Sequence, residues 1–76
     1  MDIKERVGQR LRAYRMDKKL SQEELGAILG ISGPAVFYIE QGRNLSYERA
    51  VQIAALLGVT VDDLPKGEAE HAATKS

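Results

Sequence analysis

Few of the 76 residues are of a kind that makes or breaks covalent bonds, and their spacing argues against such a role. His71 is the single histidine and stands alone in a polar C-terminal stretch, so a histidine-based metal or acid–base site is not expected. Cysteine is absent, which removes disulfides and thiolate metal sites. Glu23-Glu24 and Asp62-Asp63 are adjacent carboxylates. Each pair falls in the first turn of an expected helix, where the partial positive charge of the helix start accounts for it. No Gly-rich loop follows a strand, so nothing points to a nucleotide cradle. The expectation is a protein that is not an enzyme and takes no metal, cofactor or small-molecule ligand.

Residues suited to binding are more informative, and helices must position them. Ile3, Val7, Leu11 and Tyr14 recur every three to four residues and make one stripe of a helix ending near Lys18. Ser21-Gln22-Glu23-Glu24 is a capping box, and the helix it opens runs through Leu25 and Leu29 to Gly30. Ser32 caps a third helix with Gly33 first and Pro34 in its first turn, ending at Gly42. Ser46 opens a fourth, ended by Gly58; its stretch 50–57, AVQIAALL, is apolar nearly all round and is expected to sit centrally. Thr60 to Asp63 can cap one last turn, closed by Pro65. From Lys66 onward the chain is polar and without periodicity. This divides it into a domain over 1–65 and a flexible tail over 66–76. There is no strand pattern and no internal repeat, so the fold class is all-α, with five helices.

The turn Gly30-Ile31-Ser32 is too short for antiparallel packing, and two helices crossing steeply through it make a helix-turn-helix. Gly26 falls where the two helices touch, and Leu25, Leu29, Ile31, Val36 and Ile39 fall on inward positions. At about 100° per residue, Val36 and Ile39 share one side of the third helix, while Pro34, Phe37, Tyr38 and Gln41 share the other. An outward face carrying both Phe and Tyr leaves apolar area wetted unless it meets something. Phe37 can contact a thymine methyl and Tyr38 can donate to a base or a phosphate.

Composition bounds the rest. A chain of this length makes one domain and buries only about 60% of its unfolded surface. Hydrophobic residues make up 43%, in runs far shorter than the ~18 needed to span a bilayer. With no apolar leader, the expected setting is cytoplasmic, away from membranes. Eleven basic residues balance eleven acidic ones, yet residues 3–19 hold seven cations and two carboxylates, a net +5. Residues 20–65 hold two cations and six carboxylates, a net −4. A neutral chain with such an asymmetry can present a positive face to a polyanion; a solvated helix face explains it equally.

The segments Leu20-Ser21-Gln22-Glu23-Glu24-Leu25, Gly30-Ile31-Ser32, Ile39-Glu40-Gln41-Gly42 and Ile53-Ala54-Ala55-Leu56-Leu57-Gly58-Val59 resemble the Cro/repressor family of helix-turn-helix proteins, the xenobiotic-response-element type. The likeness covers about residues 5–65. It implies a five-helix fold that binds double-stranded DNA as a homodimer to regulate transcription, most simply as a repressor at a palindromic operator. Carried over, Gln22 would hold a phosphate from the start of the second helix, and Gln41, Gly42, Arg43 and Asn44 would hold phosphates on the other side. Arg15 and Glu40 would form an internal ion pair. Gly33, Pro34 and Tyr38 occupy base-reading positions, with Ser32 and Phe37 beside them. This chain departs from the family there, because a glycine, a proline and a phenol replace the usual bidentate groups. It departs again at Lys19, where many members carry the glycine that ends the first helix.

Leu56 falls between Arg49 and Gln52 on the fourth helix's polar side, near Val61 and Leu64. The resemblance places a dimer contact in this region, which would hold two third helices about 34 Å apart, one DNA turn. Leu56 and Leu64 can equally seal the core of a single chain. The competing function is a protein-interaction adaptor, antirepressor-like or antitoxin-like, using Phe37 and Tyr38 as anchors.

Overall fold

Each helix starts on a side chain that bonds the otherwise orphaned amides of its first turn. The computed structural model describes residues 2–65, and within them the chain forms α1 (Ile3–Asp17), α2 (Gln22–Leu29), α3 (Gly33–Glu40) and α4 (Tyr47–Leu57). The Asp2 carboxylate accepts from the Lys4 N–H at 3.3 Å. Ser21 and Glu24 complete a reciprocal capping box, with bonds of 2.9 and 2.8 Å. The Ser32 and Ser46 hydroxyls accept from the N–H groups of Ala35 and Arg49 at 3.2 and 3.1 Å. The expected tail over 66–76, with His71, lies outside the described residues. No helix among the described residues is long and apolar enough to cross a membrane.

The expected fifth helix is a pair of turns over 61–65. The Thr60 hydroxyl accepts from the Asp63 N–H at 3.2 Å, and the Leu64 N–H donates to the Val61 carbonyl at 3.1 Å. Pro65 disfavours helical backbone at Leu64, and the few residues after Thr60 cannot recover the cost of nucleating a helix. The turn is held from α1, where the Arg10 guanidinium donates to the carbonyls of Asp63 and Leu64 at 3.0 and 3.2 Å. So anchored, Leu64 is 1% exposed and packs with Val7, Leu11, Leu25, Val36 and Ile53. Its expected place in a dimer contact is overturned: the side chain has no surface to offer a partner. Leu56 and Val61 are half-buried against the same core.

The central element is α3, which packs against both α2 and α1, whereas α4 leans more lightly on α1. The expectation that the AVQIAALL stretch would sit centrally is therefore corrected. The helical repeat turns Ala50, Ile53 and Ala54 inward and leaves Val51 exposed, as is Tyr47 one turn earlier. Polar bonds complete the attachment of α4. Both Arg49 and Gln52 donate to the Leu29 carbonyl at the end of α2, at 3.3 and 3.4 Å, and Arg49 also bonds the Gln52 amide oxygen.

Two glycines allow close approaches, one to the turn before α3 and one to its C-terminal end. A Cβ on Gly26 would stand 2.4 Å from the Ile31 carbonyl oxygen. A Cβ on Gly8, in the middle of α1, would stand 2.4 Å from the Ile39 oxygen and 2.7 Å from the Glu40 oxygen. After α1, Lys19 holds the left-handed backbone (φ 59°) and the Leu20 N–H bonds back to the Arg15 carbonyl at 3.0 Å. The departure from the family's glycine thus leaves the turn intact and places the strain on a lysine.

The two positions respond with opposite sign. Gly8→Ala is expected to destabilise by about 2 kcal/mol or more, because backbone must move, despite alanine's better helix propensity. Lys19→Gly is expected to stabilise by roughly 0.5–1 kcal/mol through relief of the left-handed strain. Thermal unfolding checks both, at about 4–8 °C per kcal/mol for a domain this small. A Gly8→Ala variant as stable as the parent contradicts the close approach.

Candidate nucleic-acid interface

One carboxylate joins the three helices that would carry an interface. Glu40, at the end of α3, has a side chain only 1% exposed, and it meets the 15% exposed guanidinium of Arg15 from α1. Arg15 Nε donates to Oε2 at 2.6 Å and Nη2 donates to Oε1 at 3.2 Å, a two-pronged pairing. Arg15 Nη1 also donates to the Leu20 carbonyl at 3.0 Å. Gln22, the first residue of α2, donates its amide Nε2 to Glu40 Oε1 at 3.2 Å. A carboxylate only accepts, so the amide nitrogen must face it, and one of its two N–H groups is left pointing elsewhere. Gln22 is therefore held in place by the ion pair, a link that sequence spacing did not reveal.

Around this node α3 displays its outer face. Val36 and Ile39 are buried, while Phe37 and Tyr38 are 44% and 40% exposed. Their rings meet edge to face, 5.5 Å between centroids at 70°. With Gln22, Glu23, Gly33 and Pro34 they line a shallow hollow of about 330 Å³. Gly33 is buried, and a Cβ there would stand 2.9 Å from the Glu23 side chain. Its place is a contact between helix starts, which leaves Pro34 and Tyr38 as the exposed side chains of the three positions expected to read bases. The Ser32 hydroxyl oxygen accepts from the Ala35 N–H as the helix cap. Glu23 enters the site through this contact; nothing in its spacing marked it.

The loop after α3 lies beyond the other end of the face. Gln41 lines a second, polar hollow with Glu5, Gln9 and Glu40. Gly42 (φ 85°) and Asn44 (φ 57°) take left-handed backbone, which turns the chain sharply. Arg43 is exposed and its backbone N–H is already bonded to the Tyr38 carbonyl at 2.8 Å, so its side chain is what it can offer a ligand. The excess positive charge of the first segment is partly spent inside. Arg10 holds the C-terminal turn, Arg15 pairs with Glu40, and Lys18 lies 5.7 Å over the Tyr14 ring. Among the described residues, no group of three or more acidic residues or histidines is placed to hold a metal ion.

Comparison with known proteins agrees with this geometry. A helix-turn-helix family model matches residues 11–64. The chain is 39% identical over 70 residues to an uncharacterized transcriptional regulator in the ATPase CF(0) region of Rhodospirillum rubrum, covering 86% of this chain and 65% of that protein. It is 37% identical over 62 residues to the uncharacterized HTH-type transcriptional regulator YqaE of Bacillus subtilis (strain 168), covering 80% of this chain and 53% of that one. The matched region thus spans about two thirds and about half the length of these relatives. No solved structure matches the chain with comparable significance.

The burial of Glu40 sets a measurable expectation. Glu40→Ala leaves the Arg15 guanidinium unpaired at a largely buried site, which costs about 3–5 kcal/mol where such a charge is fully desolvated. Glu48→Ala, on the exposed first turn of α4, is expected to change stability by less than about 1 kcal/mol. Equal melting temperatures for the two variants would contradict the buried pairing.

Proposed function

Because this chain belongs to the Cro/C1-type helix-turn-helix family, we propose that it is a DNA-binding transcriptional regulator, acting as a repressor that occupies a palindromic operator as a homodimer. The observation that carries this reading is the exposed side of α3, with Pro34, Phe37 and Tyr38 beside Gln22 at the start of α2. Gln22 keeps one amide N–H for a backbone phosphate while Glu40 holds the other. Gln41, Gly42, Arg43 and Asn44 take phosphates at the opposite end, with the Arg43 side chain supplying the charge. Phosphate contacts then position the protein, and the face of α3 reads bases. The dimer contact runs through Leu56 and Val61, which retain partial exposure.

A second reading has its own support. Exposed Phe and Tyr at adjacent positions can equally anchor a protein partner. In that case α3 serves an adaptor and no duplex is preferred.

Selection from a random duplex pool separates the two. Enrichment of one palindrome is expected; failure to retain any duplex favours the adaptor. Arg43→Ala is expected to weaken binding alike on all sequences and flatten the salt dependence by about one ion. Tyr38→Ala is expected to alter the ranking of operator variants. An Arg43→Ala variant with changed preference and an unchanged salt slope contradicts the phosphate assignment. For the dimer, sedimentation of Leu56→Glu is expected to show a folded monomer that has lost operator binding, and an intact dimer removes the contact.

A further inference from the structure

Between Gln22 and Gln41, the two amides that the reading above places on phosphates, the outward face of α3 lacks the groups that usually tell base pairs apart by hydrogen bonding. From Gly33 to Tyr38 it offers no guanidinium, ammonium or amide side chain. Gly33 is buried and the Ser32 hydroxyl, which accepts from the Ala35 N–H, sits at the helix start, so the Tyr38 hydroxyl is the one side-chain donor from Gly33 to Tyr38. What the face does offer is an open hollow walled by Pro34, Phe37 and Tyr38. The two rings brace each other edge to face, so this wall is set before any ligand arrives. Glu23 closes one side with an acceptor, which opposes the N7 and O6 acceptors of a guanine edge.

In the major groove the apolar feature that distinguishes one base from the others is the C5-methyl group of thymine. Resting on the DNA-binding reading above, we infer that this chain selects its site through thymine methyls seated against Pro34 and Phe37, rather than through bidentate hydrogen bonds. The hollow is continuous with Gln22 on one flank and lies on the same helix as the turn leading to Arg43, so phosphate anchoring presses this wall into the groove. Discrimination comes from burying one methyl at each position read, worth about 0.8 kcal/mol, or a factor of about four in affinity. Specificity built this way is graded and requires several thymines to accumulate.

The test removes the methyl and nothing else. A duplex enriched from a random pool is resynthesised with deoxyuridine replacing thymidine at one position at a time, and each is titrated with the parent protein and with Phe37→Ala. Base pairing is unchanged by the replacement. At one or more thymines in each half-site, the parent is expected to lose about four-fold in affinity on uridine substitution. Phe37→Ala, checked for its helical circular dichroism, is expected to bind both duplexes equally. Equal affinity of the parent for the thymidine and uridine duplexes at every position overturns the inference while leaving DNA binding intact. A folded Phe37→Ala that still distinguishes the two overturns the assignment to Phe37. If no duplex is retained from the pool, the DNA-binding reading itself fails and this inference falls with it.

Discussion

The buried carboxylate of Glu40 is the constraint on which the arrangement of helices depends. Glu40 lies out of water at the end of α3, next to the core residue Ile39, and its charge has to be met there. Arg15 meets it from α1 and Gln22 meets it from α2, so one group fixes the relative position of three helices. An eight-residue helix such as α3 has little stability of its own. It persists because α2 closes through Gly26 on the turn that leads into it, α1 closes through Gly8 on its C-terminal end, and the ion pair reinforces that same end.

This order of dependence explains how much of the fold could be read in advance. Ser21, Ser32 and Ser46 announce their helices because capping is a local transaction between neighbouring residues. The inward set Leu25, Leu29, Val36 and Ile39 is visible for the same reason, since helical period alone assigns it. What escaped was non-local. Gly8 reads as a weak point in a helix until its distance to the α3 carbonyls is known, and Arg10 reads as surface charge until it is seen bonding the turn after Val61. Leu64 looked available for a partner because its burial depends on that same turn. The fifth helix failed because residue type permits a helix that Pro65 cuts short.

The candidate interface shows the same division. Phe37 and Tyr38 were legible as outward-facing, and they are. Gly33 was assigned to base reading by position in the family, whereas in this chain it is buried at the contact between α2 and α3. Its lack of a side chain lets Glu23 come forward to line the hollow. Gly33 thus spaces α3 from α2, and Glu23, beyond its place at a helix start, lines the hollow. The character of the face follows from these substitutions: apolar in its centre, acidic on one side, with polar groups at its flanks.

That one ion pair holds the α1–α3 junction can be measured by a double-mutant cycle on thermal or denaturant unfolding, using Arg15→Ala, Glu40→Ala and the double variant. Each single change leaves the opposite charge unpaired, and the double change leaves neither charge, so the costs are expected to fall short of additivity by about 2 kcal/mol or more. Additive losses, with no coupling between Arg15 and Glu40, would contradict the account.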